Sequence, residues 1–160
     1  MATNEHIYFD EKLYPMAWRL NSSDCLLSID DKKRIIFLNE YQSTVLWDIF
    51  FPFEYLMKMD PSFISILEKI FIDFDEVNQS SLFFREKLKD NSVIFFFWGR
   101  LDCAILPTDI FIKAWDDFFY PSDDNSIILI PNTNKIIFSY EETFFYGEIV
   151  VPPVFSTTAS

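Results

Sequence analysis

Adjacent carboxylates are the most abundant side chains in this sequence that could do chemistry. Two neighbouring carboxyl groups can act as a general acid and a general base, or can hold Mg²⁺ between them. On a helix, however, adjacent acids point in different directions, and acids in turns commonly cap the backbone while facing solvent. We therefore interpret the acidic groups as surface features rather than catalytic pairs. They are Asp116-Asp117, Asp123-Asp124, Asp30-Asp31, Glu141-Glu142 and Asp73-Asp75-Glu76.

Other kinds of catalytic or metal site lack the residues that they need. His6 is the only histidine, and Cys25 and Cys103 are far apart in the chain, so no zinc-ligand spacing occurs. A nucleophile activated by histidine would have to use His6, close to the N-terminus. No phosphate-binding glycine loop is present. The run Asp123-Asp124-Asn125 resembles a calcium loop but lacks its glycine and closing glutamate. We expect no enzyme activity, no metal site and no cofactor.

The net charge of −12 and the isoelectric point near 4.3 bear on the kind of partner. Such a field repels nucleic acids and anionic membranes, and it attracts basic proteins. There is no basic stripe that could neutralise phosphates, so direct nucleic-acid binding is the interpretation most firmly opposed. An acidic balance also keeps a cytosolic protein soluble, and charge alone therefore does not specify a partner.

Three further features predict a cytoplasmic protein. Cys25 and Cys103 have no CxxC spacing, and two isolated thiols are typical of a reduced protein. The N-terminal residues contain no basic stretch followed by an apolar one, so we expect no secretion signal. The apolar runs are much shorter than the roughly 20 residues that span a bilayer.

The first half of the chain predicts helices. Asn39 and Gln42 have the spacing of a capping box, which opens a helix over 40–50 that Pro52 ends. A second helix is predicted from Asp60-Pro61 to Phe74 by the spacing of its apolar residues, and a third over 80–89. The face expected on the first helix consists of Tyr41, Val45, Leu46, Ile49 and Phe50.

The second half predicts a sheet that the helices must cover. Short apolar runs separated by turn residues indicate strands over 93–98, 101–106, 127–130, 136–140 and 143–150. Thr108 is a candidate cap for one helix over 109–119, with Phe111, Ala114, Trp115 and Phe118 on its buried face. The predicted fold class is α+β, with N-terminal helices packed on a mainly antiparallel sheet formed largely by residues 92–150. We expect a single domain over 1–150 and a flexible tail over 151–160.

The segment 92–148 resembles the small cytoplasmic immunity proteins of bacterial polymorphic-toxin and contact-dependent growth inhibition systems. The resemblance lies in an aromatic-ended strand, the run WDDFFYP (115–121), an acidic turn, a polar hairpin, and Tyr146-Gly147-Glu148. It covers a little over a third of the chain. It implies a non-enzymatic inhibitor that binds the C-terminal toxin domain of a delivered effector. It does not by itself assign any site residue.

Acidic charge suits an inhibitor of a nuclease toxin, because a nuclease presents a basic cleft. We expect occlusion of that cleft, in an RNase in preference to a DNase, with no nucleic acid or membrane bound directly. Tyrosines beside acids are typical interface anchors. Two alternatives stay open: an acidic DNA mimic that inhibits a DNA-binding protein, and a carboxylate-dependent hydrolase. The predicted toxin-binding residues are Asp116, Asp117, Tyr120, Asp123, Asp124, Tyr140, Glu141, Glu142 and Tyr146.

Overall fold

The structure is a computed structural model that describes residues 8–51, 53–54, 63–123 and 125–150. Its strands are β1 (Ile36–Leu38), β2 (Ile64–Phe71), β3 (Val93–Phe97), β4 (Cys103–Pro107), β5 (Ile127–Leu129), β6 (Lys135–Tyr140) and β7 (Thr143–Ile149). Its helices are α1 (Trp18–Asn21), α2 (Ile29–Lys32), α3 (Glu40–Phe50), α4 (Val77–Leu88), α5 (Thr108–Lys113) and α6 (Trp115–Phe118), with a 3₁₀ turn at Pro15–Ala17.

All the strands join one antiparallel seven-stranded sheet in the order β1-β4-β3-β5-β6-β7-β2. The predicted α+β class is therefore confirmed. Residues 92–150 supply the contiguous centre of the sheet, as predicted, and the earlier part of the chain adds one strand at each edge. The edge strand β1 lies directly before Asn39.

Each face of the sheet packs on its own hydrophobic core. One face carries Phe96 and Phe144 and packs against α1, α4, α5 and α6. The other carries Phe97 and Ile136 and packs against Trp47 of α3. All these side chains are buried, and removing a phenylalanine of this kind from water contributes about 1.5–3 kcal/mol. The helices therefore cover both faces of the sheet rather than one.

Helix α3 has the predicted capping box. The Asn39 side chain accepts a hydrogen bond from the Gln42 amide at 2.8 Å, and the Gln42 side chain accepts one from the Asn39 amide at 3.0 Å. The predicted apolar face is wrong in part, because Tyr41 is 77% exposed and Val45 is 42% exposed. The large apolar side chain that α3 buries completely is Trp47, and the small Ser43 is buried with it. Pro52, predicted to end this helix, lies outside the described residues.

The helix predicted from Asp60-Pro61 to Phe74 is wrong. Its start lies outside the described residues, and its centre is the edge strand β2, paired with β7 from Ile64 to Phe71. The run is rich in isoleucine, which favours a strand. Its apolar residues have helical spacing but do not form a buried helix face, because most of β2 is exposed. Gly147 of β7 permits this pairing, since a Cβ there would lie only 2.8 Å from the Ser65 carbonyl oxygen.

The remaining elements agree with the prediction in kind and differ at their ends. Helix α4 begins at Val77 rather than at residue 80, and β4 follows a turn at Gly99, whose φ is +133°. The helix predicted over 109–119 is divided at Ala114 into α5 and α6, although its buried face is as predicted. Thr108 is not the cap, because Pro107 occupies the N-cap position and the buried Thr108 hydroxyl forms no hydrogen bond within the described part of the chain.

None of the helices in the described ranges is both long enough and apolar enough to cross a membrane. The predicted flexible tail over 151–160 lies outside those ranges.

Candidate protein-binding surface

One end of the sheet gathers acidic residues from distant parts of the chain. The strand register places the end of β1, the start of β4, the β6–β7 turn and the end of β2 on the same side of the molecule. We call the carboxylates found there the acidic end. Its members are Glu40, Asp73, Asp102, Glu141 and Glu142.

The carboxylates of the acidic end are not neutralised within the protein. In the described structure, none of them has an ion-pair partner within 4.0 Å. All are exposed except Asp102, which is partly buried. Arg100, the cation in the same β3–β4 loop as Asp102, binds the Asp48 carboxylate at 2.8 Å. The acidic end therefore presents negative charge that a basic partner could neutralise.

The turn between β6 and β7 has an unfavourable backbone for the residues that it contains. Glu141 and Glu142 have φ values of +50° and +60°, and they form a two-residue loop between Tyr140 and Thr143. Two residues with positive φ are typical of a type I′ hairpin turn, which prefers Asn-Gly. A residue with a Cβ costs about 1–2 kcal/mol in this conformation. The turn thus keeps two carboxylates at the tip where other residues would be more stable.

Asp123, one of the predicted binding residues, forms an internal ion pair. Its carboxylate binds the Arg19 guanidinium through two hydrogen bonds of 2.8 and 2.9 Å, and the two side chains are only 10% and 8% exposed. Asp123 also accepts hydrogen bonds from the Tyr120 amide and the Ser126 hydroxyl. The Arg19 guanidinium lies 3.9 Å from the centre of the Tyr120 ring. These contacts hold Asp123 inside the fold.

The other predicted residues occupy separate places. Asp117 accepts a hydrogen bond from the Leu26 amide, and burial raises the pKa of its carboxyl group. One carboxylate oxygen of Asp116 is buried and accepts no hydrogen bond from any described residue. The Tyr146 ring lies 4.9 Å from the Lys87 ammonium group. Tyr140 is partly exposed beside the Glu141–Glu142 turn. Asp124 lies outside the described residues.

Comparisons with known proteins do not add to this geometry. No family model, no curated protein and no solved structure matches the chain. Interpretation of the surface therefore rests on its own residues.

A cleft of about 310 Å³ opens beside Asp102, in the loop between β3 and β4. Glu54, Arg100 and Asn125 also line it. Burial, reinforced by the charge of nearby Glu40, raises the pKa of Asp102. Among the residues that the structure describes, no hydrogen bond to the Asp102 carboxylate is found. The ionised form of Asp102 is therefore less favourable in the folded protein than in water, and a further cation from a partner would stabilise it.

We predict that Asp102→Asn stabilises the protein at pH 7 and has no such effect at low pH. A carboxyl group whose pKa is raised by folding destabilises the native state once it is ionised, so the asparagine variant should gain stability at neutral pH. Below a pH of about 3.9 the group is protonated in both states, and the difference should disappear. The measurement is the urea midpoint of the natural protein and of Asp102→Asn, from pH 7 to below about pH 3.9.

Asp48→Asn is the matched control, because it should show the opposite sign. The hydrogen bond from Arg100 lowers the pKa of Asp48. Its ionised form therefore favours the native state at neutral pH, and this contribution is lost as the pH falls. If both variants change stability in the same direction at pH 7, the assignment of Asp102 as an uncompensated carboxylate is contradicted.

Proposed function

We propose that this protein is a non-enzymatic inhibitor of a toxin domain in the bacterial cytoplasm, and that it binds this domain through the acidic end of its sheet. The partner is a basic protein, for which a nuclease with a phosphate-binding cleft is the best candidate. The inhibitor occludes that cleft, and RNase toxins are preferred over DNase toxins. The proposal combines the resemblance of residues 92–148 to immunity proteins with the charge distribution of the folded chain.

The observation that carries the proposal is the Glu141–Glu142 turn. Backbone strain held in place at an exposed tip is common where a residue is needed for binding. Here both strained residues are carboxylates, and neither forms an ion pair with another described residue. They stand beside Asp73, since the Ile72 amide donates a hydrogen bond to the Glu142 carbonyl oxygen. Charge of this kind accelerates association with a basic surface and orients the two proteins.

The test is co-expression with the C-terminal domain of a large toxin encoded directly before this chain. We expect cells that produce both proteins to survive and the two proteins to co-elute as a complex. Cells that produce the toxin domain alone should die. Death in the presence of both folded proteins, with no complex, would contradict the proposal.

A DNA mimic that inhibits a DNA-binding protein is the second candidate, and the length of the acidic end favours it. Strands lie about 4.8 Å apart, so the acidic end follows a seven-stranded sheet over roughly 29 Å. A row of carboxylates on this scale can imitate a phosphate backbone. Competition separates the candidates, because a mimic should displace duplex DNA from a DNA-binding protein, whereas an immunity protein should act on its toxin alone.

The hydrolase alternative requires a cleft lined by two of the paired acids named from the sequence. Three clefts formed by described residues, one beside Asp102 and two beside Arg85, are not lined by those acids.

A further inference from the structure

A basic cleft lies at the end of the sheet opposite the acidic end. It has a volume of about 440 Å³, and its wall includes Ser92, just before β3, and Thr108, just after β4. The cations Arg34, Arg85 and Lys89 surround it. In a chain with a net charge of −12, such a concentration of positive charge stands out from the rest of the surface.

The cations of this cleft have little internal compensation. Arg85 and Lys89 are four positions apart, at the end of α4 and just beyond it, so their side chains share one face. Neither has an ion-pair partner among the described residues. Within the described ranges Arg34 is paired with Asp109 alone, at 3.5 Å, and both side chains are more than half exposed. Like charges at this spacing oppose helix formation, and a bound anion would remove that repulsion.

The dipole of α4 explains part of this arrangement, since cations are favourable near the C-terminus of a helix. It does not explain Arg34, which comes from the segment before β1. It also does not explain Thr108, which is 6% exposed and whose hydroxyl oxygen has no hydrogen-bond partner among the residues that the structure describes. Thr108 lines the cleft, and its hydroxyl oxygen is buried behind the wall.

We propose that this cleft binds a phosphorylated small molecule, with the phosphoryl group held by Arg85 and Lys89 and flanked by Arg34. Arg34 offsets the charge of Asp109, which leaves two positive charges to match a phosphate dianion. Guanidinium groups bind phosphate through paired hydrogen bonds, and an ammonium group adds a point charge. A phosphate offers more charge and more acceptor oxygens than a single carboxylate.

An adjoining cleft provides room for the rest of such a ligand. It has a volume of about 460 Å³ and shares Arg85, Asp109 and Ile112 with the basic cleft. Val77 and Ile112 give it apolar surface, and Asn78 and Ser81 add polar groups. An organic group attached to the phosphate could therefore continue along the groove between α4 and α5.

The test is calorimetric titration of the purified full-length protein with inorganic phosphate and with ATP. We expect saturable binding that Arg85→Glu and Lys89→Glu each weaken by about tenfold or more, because each removes a charged hydrogen bond and adds repulsion. Lys12→Glu is the control: it makes the same change of charge at an exposed lysine outside the cleft, and it should alter the affinity less than about twofold. Thermal unfolding confirms that each variant is folded.

Tighter binding of ATP than of phosphate would support the proposal and place the organic group in the adjoining cleft. Equal affinities would also support it and assign the site to the phosphoryl group alone. The proposal is overturned if neither compound binds saturably, or if Lys12→Glu weakens binding as much as the cleft variants do.

Discussion

Asp123→Ala is expected to lower the free energy of unfolding by about 3–5 kcal/mol. The substitution leaves the Arg19 guanidinium buried without its counter-charge, and a buried unpaired charge is strongly destabilising. It also removes the acceptor for the Tyr120 amide and the Ser126 hydroxyl. Urea denaturation of the purified proteins measures the change. Loss of toxin binding by this variant would then report unfolding rather than a lost contact.

Two controls isolate the role of the pair. The double variant Arg19→Met/Asp123→Leu should be more stable than Asp123→Ala, because replacing both partners of a buried ion pair by apolar side chains is often neutral. Arg19 also donates a hydrogen bond to the Phe118 carbonyl oxygen, and in the double variant this oxygen would still accept one from the Trp98 indole at 2.9 Å. Asp24→Ala removes an exposed carboxylate and should change stability by less than about 0.5 kcal/mol. Equal losses for Asp24→Ala and Asp123→Ala would refute the structural role.

Phe84→Ala is expected to lower the free energy of unfolding by about 3–5 kcal/mol. Phe84 lies on α4, is fully buried, and packs among aromatic side chains that belong to other elements. Its ring centre lies 5.0 Å from that of Phe111, 5.2 Å from that of Phe144 and 5.4 Å from that of Trp115. Truncation removes these contacts and leaves a cavity between α4, α5 and β7. Urea denaturation measures the loss.

Leu82→Ala provides the comparison on the same helix. Leu82 is 58% exposed, so its truncation should change stability by less than about 0.5 kcal/mol. Because both positions lie within α4 and both become alanine, the difference between the variants reports burial rather than helix propensity. Similar losses at the two positions would show that the aromatic cluster does not hold the helices on the sheet.

The central strands could be predicted from the sequence because their signals are local. The runs that form β3, β5, β6 and β7 are apolar and bounded by turn residues, and α3 has a capping box within four residues. Strand β2 was predicted as a helix because its apolar spacing fits one. Its state is decided by pairing with β7, far along the chain. An exposed edge strand also lacks the alternating burial that would reveal it.

The candidate surface was predictable only in part, because some of its residues are brought together by pairing between distant strands. The Glu141–Glu142 turn follows from the hairpin, and its acidity is visible in the sequence. Glu40 and Asp102 belong to the acidic end because β1 pairs with β4 at one edge of the sheet. No local sequence pattern predicts this pairing. Asp123 looked like a surface acid in a turn. Its burial depends on Arg19, which is distant in sequence and which the sequence alone does not link to it.

The most direct test of the acidic end is the affinity of Glu141→Asn/Glu142→Gly for the toxin domain. Asn-Gly fits the turn better, so this variant should be more stable than the natural protein by about 1–2 kcal/mol. It also removes two carboxylates from the proposed surface. We expect association to be about tenfold slower or more at low salt, with a smaller difference at high salt. Reduced binding by a more stable protein cannot be attributed to unfolding.

Asp24→Asn/Asp30→Asn makes the same change in net charge at exposed positions outside the acidic end, and it should bind nearly as fast as the natural protein. The account predicts slow binding for the turn variant alone. Unchanged binding by Glu141→Asn/Glu142→Gly, or equal slowing by the two double variants, would contradict it.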